Sequence, residues 1–494
     1  MSKKVIVIGS GFGGLATAIR LQAGGHQVTV FEQRDKPGGR AYVYEEKSFV
    51  FDAGPTVITA PELLQELYSL RGLDMSQFVK LLPIDPFYDL RWDDGYRFQY
   101  GRNIESLEKQ ISDKNIQDWD GYQKFLEFTK KVYQKGYVEL AAAPFLDFSS
   151  MIKVAPDLIR LKSYKSVYSL VADYIQDPHL RQAFSFHTLL VGGSPFRTPS
   201  IYTLIHYLER QSGVYFAKGG TGAIIRSLVQ YFIQLGGHLY TNSLIDEITF
   251  KNGSTSGVRL SDGAHHEADA VVSNADLVLT YEKLCRSHPQ AVFKTSKFKK
   301  MNHSMSLVVI YFGTSKKYDD VLHHTVLFGP RYKELLSDIF ESGYLADDFS
   351  LYLHRSTASD DDLAPPGCDS FYVLAPVPNL KHERIDWEKT KNEYAQKILN
   401  YLEKKLLPNL NKNIVVKKIF TPNDFQSELQ AFEGAAFSLE PTLSQSAYFR
   451  AQNKDRQIPG LYLVGAGTHP GAGVPGVLNS AKVTASLVAE DLFK

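Results

Sequence analysis

A strand, a glycine turn and a helix open this chain in an order that few folds accommodate. The apolar run Val5-Ile-Val-Ile8 leads straight into Gly9-Ser-Gly-Phe-Gly-Gly14, and a helical pattern then carries Leu15, Ala16, Ala18, Ile19 and Leu21. Gly9 permits the tight turn, Gly11 lets backbone approach a pyrophosphate, and Gly14 lets the helix pack close to the strand. The helix N-terminus offers free N–H groups and a positive dipole end to the diphosphate. A second strand, Gln27 to Phe31, ends at Glu32, 18 residues beyond Gly14. A carboxylate there accepts hydrogen bonds from ribose hydroxyls and repels a 2′-phosphate, which selects FAD or NAD over NADP.

The rest of the chain bounds what surrounds this turn. Its 494 residues exceed one simple core, so two or three domains are expected. A net formal charge of +1 argues against nucleic-acid binding, which calls for a basic excess. Cys285 and Cys368 lie far apart and match no metal or redox spacing. No signal peptide precedes the first strand and no run reaches the length of a transmembrane helix, so a cytoplasmic protein is expected. The 28 Tyr and 30 Phe, against five Met, suggest aromatic walls around a long apolar ligand as well as an aromatic core.

Along the chain, six segments are expected. Residues 1–85 and 213–285 read as parts of a dinucleotide domain, completed by 451–494. Residues 86–101 and 286–450 read as a sheet-rich substrate domain, with Asp93-Asp-Gly95 as a hairpin turn. Residues 102–212 read as mostly helical, with a long run from Tyr122 to Leu140. There, Ala141 to Tyr168 mixes Leu146, Phe148, Met151, Ile152, Leu158 and Ile159 with Lys153, Arg160, Lys162 and Lys165. Apolar and basic residues interleaved on a helix suit either an anionic membrane surface or a solvated face over a core.

Further glycine clusters turn the dinucleotide into a flavin. Gly38-Gly39-Arg40 puts a flexible turn and a planar cation just beyond the ribose acid. Leu461-Tyr-Leu-Val-Gly465-Ala-Gly467 repeats the strand-to-glycine design near the other end. Gly471-Ala-Gly-Val-Pro-Gly476 precedes a helix expected from about Val477, whose N-terminal amides would face a ring that gains negative charge on reduction.

These segments resemble the flavin-containing amine oxidase superfamily, and within it the bacterial and fungal phytoene desaturases. The residues that carry the resemblance are Glu32-Gln-Arg-Asp-Lys-Pro-Gly-Gly-Arg40, Phe51-Asp-Ala-Gly-Pro-Thr-Val-Ile58, Phe184 to Gly193, Tyr215 to Gly222, and Leu463 to Val477. It spans the chain and implies an α/β fold: a discontinuous Rossmann-like FAD-binding domain, an inserted sheet-rich substrate domain and a helical, membrane-facing segment. It further implies conversion of 15-cis-phytoene, through partially desaturated carotenes, to all-trans-lycopene. By position, Gly9, Gly11 and Gly14 would hold the diphosphate, Glu32 the adenosine ribose, and Gly39 and Arg40 the pyrophosphate and ribityl region. Ile245 would meet adenine through its backbone, and Gly54, Pro55, Thr56, Gly465, Gly467, Gly476 and Val477 would surround the isoalloxazine and ribityl.

Residue chemistry suits that reaction. A C–C bond flanked by double bonds loses hydride and proton through an allylic cation stabilised by the substrate, so the protein needs a shaped apolar tunnel, alignment and exclusion of water. Asp52 is the carboxylate nearest the flavin motifs, weighed as a base or as a hydrogen-bond acceptor in a turn; the catalytic base is otherwise unassigned. Arg197, His187 and Tyr202 lie in segments placed to wall the tunnel or simply to pack. No metal site is expected, since His265-His266 and His323-His324 are adjacent pairs, a poor geometry for one ion. A bilayer-soluble substrate favours peripheral association with the cell membrane, with oxygen or a quinone as electron acceptor. Alternatives are a flavoprotein acting on another carotenoid (a diapophytoene desaturase, ketolase or isomerase), an amine oxidase, or a flavin-binding lipid carrier.

Overall fold

In the computed structural model, residues 2–145 and 147–492 are described. Five parallel strands form the central sheet in the order Leu461–Leu463, Ala270–Ser273, Lys4–Ile8, Gln27–Phe31, His238–Tyr240. The chain's first strand lies at the middle, covered on both faces, which explains its unbroken apolar run. The Phe12–Ala23 helix packs on one face with Thr221–Gln234 and Val474–Leu492. On the other face sits a three-stranded antiparallel sheet, Ile245–Lys251, Ser254–Leu260 and His265–Glu267.

A seven-stranded sheet makes the second layer system, in the order Ile414–Phe420, Ser306–Thr314, Asp369–Val377, Leu351–Arg355, His324–Phe328, Tyr88–Trp92, Arg97–Tyr100. Only the His324–Phe328 and Tyr88–Trp92 pair within it is parallel. Ser306–Thr314 is buried along its whole length, and strand alternation sorts its side chains between two cores. Leu307, Val309 and Tyr311 enter the aromatic-rich core between sheet and helical segment. Val308, Ile310 and Phe312 face the Trp387–Lys405 helix.

The helical run expected from Tyr122 to Leu140 changes character part-way. An α-helix, Ile116–Tyr133, gives way to a wider turn at Gln134–Glu139. Gly136 lies within that turn, where a Cβ would come within 3.0 Å of Leu204 Cδ2 and 3.2 Å of Ile201 Cδ1. Close packing there requires glycine, and glycine weakens the regular helix. Phe148–Arg160 follows as a separate helix, capped by Asp147 accepting from the Ser150 N–H at 2.8 Å. The helix expected from Val477 opens three residues sooner, at Val474, with Pro475 in its first turn where no N–H is needed. No helix among the described residues is long and apolar enough to cross a membrane.

Candidate functional site: a dinucleotide cradle opening into an apolar cavity

The two glycine turns meet because their strands neighbour a common third strand. Ala270–Ser273 lies between Lys4–Ile8 and Leu461–Leu463, and Asn274 follows it directly. The Asn274 amide sits between the turns. A Cβ added at Gly13 would fall 2.7 Å from its Oδ1, one at Gly465 would fall 2.8 Å from the same atom, and one at Gly11 would fall 3.0 Å from its Nδ2. Gly9 takes φ +90°, a conformation that only glycine adopts freely. Gly14 is the tightest position, since a Cβ there would lie 2.0 Å from the Gly9 carbonyl oxygen. Gly9 and Gly11 line the cavity, whereas Gly14, expected with them at the diphosphate, is not among the lining residues and sets the helix against the turn.

Glu32 is held from three sides. Its carboxylate accepts from Ser10 N–H at 2.9 Å, Ser10 Oγ at 2.6 Å and Arg34 N–H at 3.0 Å. These bonds aim a buried acid into the cavity beside the second strand. Gly39 and Arg40 line the same wall. Arg40 donates from Nε to the Ala436 carbonyl at 2.7 Å and makes no salt bridge among the described residues. Burial lowers its pKa and Asp276 opposes the shift. A half-buried guanidinium without a bonded acid, beside a helix N-terminus that carries no side-chain cap, suits a diphosphate. Gly54, Pro55, Thr56, Ile245, Gly465, Gly467, Gly476 and Val477 all line this one cavity, which encloses about 590 Å³.

Beyond the glycines the wall becomes apolar. Phe186, Leu189, Leu307, Val326 and Phe328 line it, as do Met151 and Leu158 of the Phe148–Arg160 helix. Tyr202 also lines it, whereas His187 and Arg197 do not. His187 Nε2 lies 2.9 Å from Glu209 Oε2, and Arg197 pairs with the buried Glu440 at 3.2 Å. Thr56 contacts the hydroxyls of Tyr352 and Tyr372, a polar spot on the wall that no motif announces.

Three comparisons place this geometry. The model of the "Flavin containing amine oxidoreductase" family matches residues 12–489. This chain belongs to that family. Among the family's members, a phytoene desaturase (lycopene-forming) of Pseudescherichia vulneris is 51% identical over 490 residues, covering 99% of this chain and 100% of its own. One from Pantoea ananas is 51% identical over 491 residues, with 99% and 100% covered. A solved putrescine oxidase with redesigned cofactor binding superposes with a TM-score of 0.66 at 13% identity, covering 100% of this chain and 99% of that one, which establishes the shared fold. The flavin of this family is FAD, and the cradle described above fits it.

Asp52 sits outside the cavity lining. Its Oδ1 accepts from the Gly222 N–H at 3.3 Å, at the start of the Thr221–Gln234 helix. Burial pushes its carboxyl up to about 6, while the Thr221 and Gly222 N–H groups pull it down. An acid raised in the folded state costs nothing below its unfolded pKa. Its cost grows as pH climbs through the folded one, to on the order of 3 kcal/mol. Asp52→Asn keeps an acceptor for the helix and deletes the charge. Urea melts should therefore show the variant more stable than wild type at pH 7, with the fall between about pH 4 and 6 flattened. Turnover should persist; its loss with FAD and fold intact would make Asp52 the base.

Proposed function

We propose that this chain, docked peripherally on a membrane surface, withdraws phytoene into its apolar cavity and desaturates it stepwise to lycopene. One observation carries the reading: the dinucleotide cradle and a lipid-compatible cavity are continuous, and part of the cavity's wall belongs to a helix with exposed apolar residues. When bound, FAD supplies a two-electron acceptor for hydride.

The chain's own residues do the rest. Gly9, Gly11 and the Phe12–Ala23 N-terminus would hold the diphosphate, Arg40 would offset its charge and Glu32 would orient the ribose. Ile245 would contribute backbone to the adenine. Gly54, Pro55, Thr56, Gly467, Gly476 and Val477 would bound the ring. Phe186, Val326 and Phe328 form a smooth wall along which a polyene can shift by one unit between steps and from which water is excluded.

Purified protein with FAD and phytoene-loaded liposomes should give red-shifted products ending at lycopene. A product series that stops short, or unreacted phytoene beside a flavin that stays oxidised under anaerobic conditions, would refute the assignment. Oxygen and membrane quinone are the two acceptors in view, and anaerobic turnover restored by added quinone would select the second.

A further inference from the structure

Three imidazoles converge at one part of the seven-stranded sheet, away from the glycine turns. His354 lies directly opposite His324 in the antiparallel pairing of Leu351–Arg355 with His324–Phe328, so both rings leave the same face. His323 stands one residue before that strand, in a bend, which frees it from the alternation that separates adjacent side chains. Adjacent histidines alone offer no ligand geometry; the fold supplies the third from across the sheet. One nitrogen of each ring lies within 4.8 Å of the others.

All three rings are buried. Two are steered from behind: His323 Nδ1 lies 2.7 Å from Ser359 Oγ, and His324 Nδ1 lies 2.6 Å from the Tyr352 hydroxyl. The opposite nitrogens, His323 Nε2 and His324 Nε2, make no hydrogen bond. Neither nitrogen of His354 makes one of ordinary geometry, though the ring faces the His323 backbone. Each buried polar atom left this way costs about 1–3 kcal/mol, and here such atoms share one spot. Arg355 lies close by, but Asp369 at 3.0 Å and Asp319 at 2.9 Å neutralise it.

We propose that His323, His324 and His354 form a three-nitrogen site for a late first-row transition cation, with Zn²⁺ as the probe. Ser359 and Tyr352 then act as the outer contacts that fix the tautomer and aim of ligating rings. Ligands about 2.0–2.1 Å from a tetrahedral ion stand roughly 3.3 Å apart, so the rings turn inward on binding. The site also reaches the cavity, because the same Tyr352 hydroxyl lies 3.2 Å from Thr56 Oγ1 on its wall. A bound ion would hold that tyrosine in place.

The test uses FAD-loaded, untagged protein, stripped with a chelator, equilibrated with Zn²⁺ and dialysed. The expected result is one zinc per chain by elemental analysis, with a raised Tm. Zinc-edge absorption should report imidazole nitrogens near the distance above. His354→Gln should weaken retention at least tenfold, and His265→Ala/His266→Ala should leave it unchanged. Zinc well below one per chain in wild type overturns the proposal, as does equal retention by wild type and His354→Gln, which would mark surface binding. If His354→Gln fails to fold, the wild-type stoichiometry and absorption spectrum decide alone.

Discussion

Gly14→Ala should yield protein without FAD. The added methyl would stand 2.0 Å from the Gly9 carbonyl oxygen, a backbone atom, and no side-chain rotation relieves that overlap. Either the helix backs away from the turn or the turn opens. Both displace the N–H groups that face the diphosphate, and both loosen the Asn274 amide that links the two glycine turns. Because the contact is backbone on backbone, the expected loss is more than tenfold in bound FAD, read as the flavin-to-protein absorbance ratio. Circular dichroism checks that the rest of the chain has folded. A folded variant with stoichiometric flavin would show that the close approach at Gly14 is dispensable.

Ile152→Glu/Ile159→Glu should abolish vesicle binding and, with it, turnover of liposomal phytoene. Phe148, Ile152 and Ile159 are 53%, 59% and 66% exposed, and their spacing puts them on one stripe of the Phe148–Arg160 helix. Met151 and Leu158 of the same helix line the cavity, so one helix carries both the exposed stripe and part of the cavity wall. Burying each isoleucine in a lipid interface yields about 1.5–3 kcal/mol, so losing two lowers partitioning by a hundredfold or more. The basic residues matter less. Lys162 and Lys165 pair with Asp173 at 3.3 and 2.7 Å, and Arg160 lies 3.5 Å from Asp157. Lys153 is the basic residue of the set with no such pairing among the described residues. A Lys153/Arg160/Lys162/Lys165→Glu variant should therefore float less well than wild type but better than the isoleucine pair. Equal flotation of all three proteins would remove this helix from the docking surface. Retained activity of the isoleucine variant on detergent-dispersed phytoene would separate docking from catalysis. Leu146, within the same stretch, lies outside the described residues.

What could be read from sequence was what local backbone chemistry dictates. Gly9, Gly11, Gly14 and Glu32 announce themselves because turn, approach, packing and acid follow one another within about 30 residues. The second glycine cluster repeats the same local logic. Asn274 did not announce itself, since a lone asparagine after a strand acquires meaning only once parallel pairing sets it between two turns. Arg40 was read as a diphosphate cation, and its hold on the Ala436 carbonyl, 396 residues away, was invisible. The same holds for Tyr352 and Tyr372 beside Thr56, and for His354 beside the histidine pair. Tunnel residues were the least legible. His187, Arg197 and Tyr202 carry no pattern that tells a wall from a filler, and only Tyr202 proves to face the cavity.

The strand order of the central sheet has a consequence for biosynthesis. Leu461–Leu463 forms one edge of that sheet, and Val474–Leu492 covers its face. The first glycine turn and Glu32 thus come together within residues 4–32, whereas the second half of the cradle waits on residues 461–492. A flavin can be held from both glycine turns only once Leu461–Leu463 has paired with Ala270–Ser273. Until then an apolar cavity stands open on one side, which makes the cofactor in effect the last piece of the core to be laid.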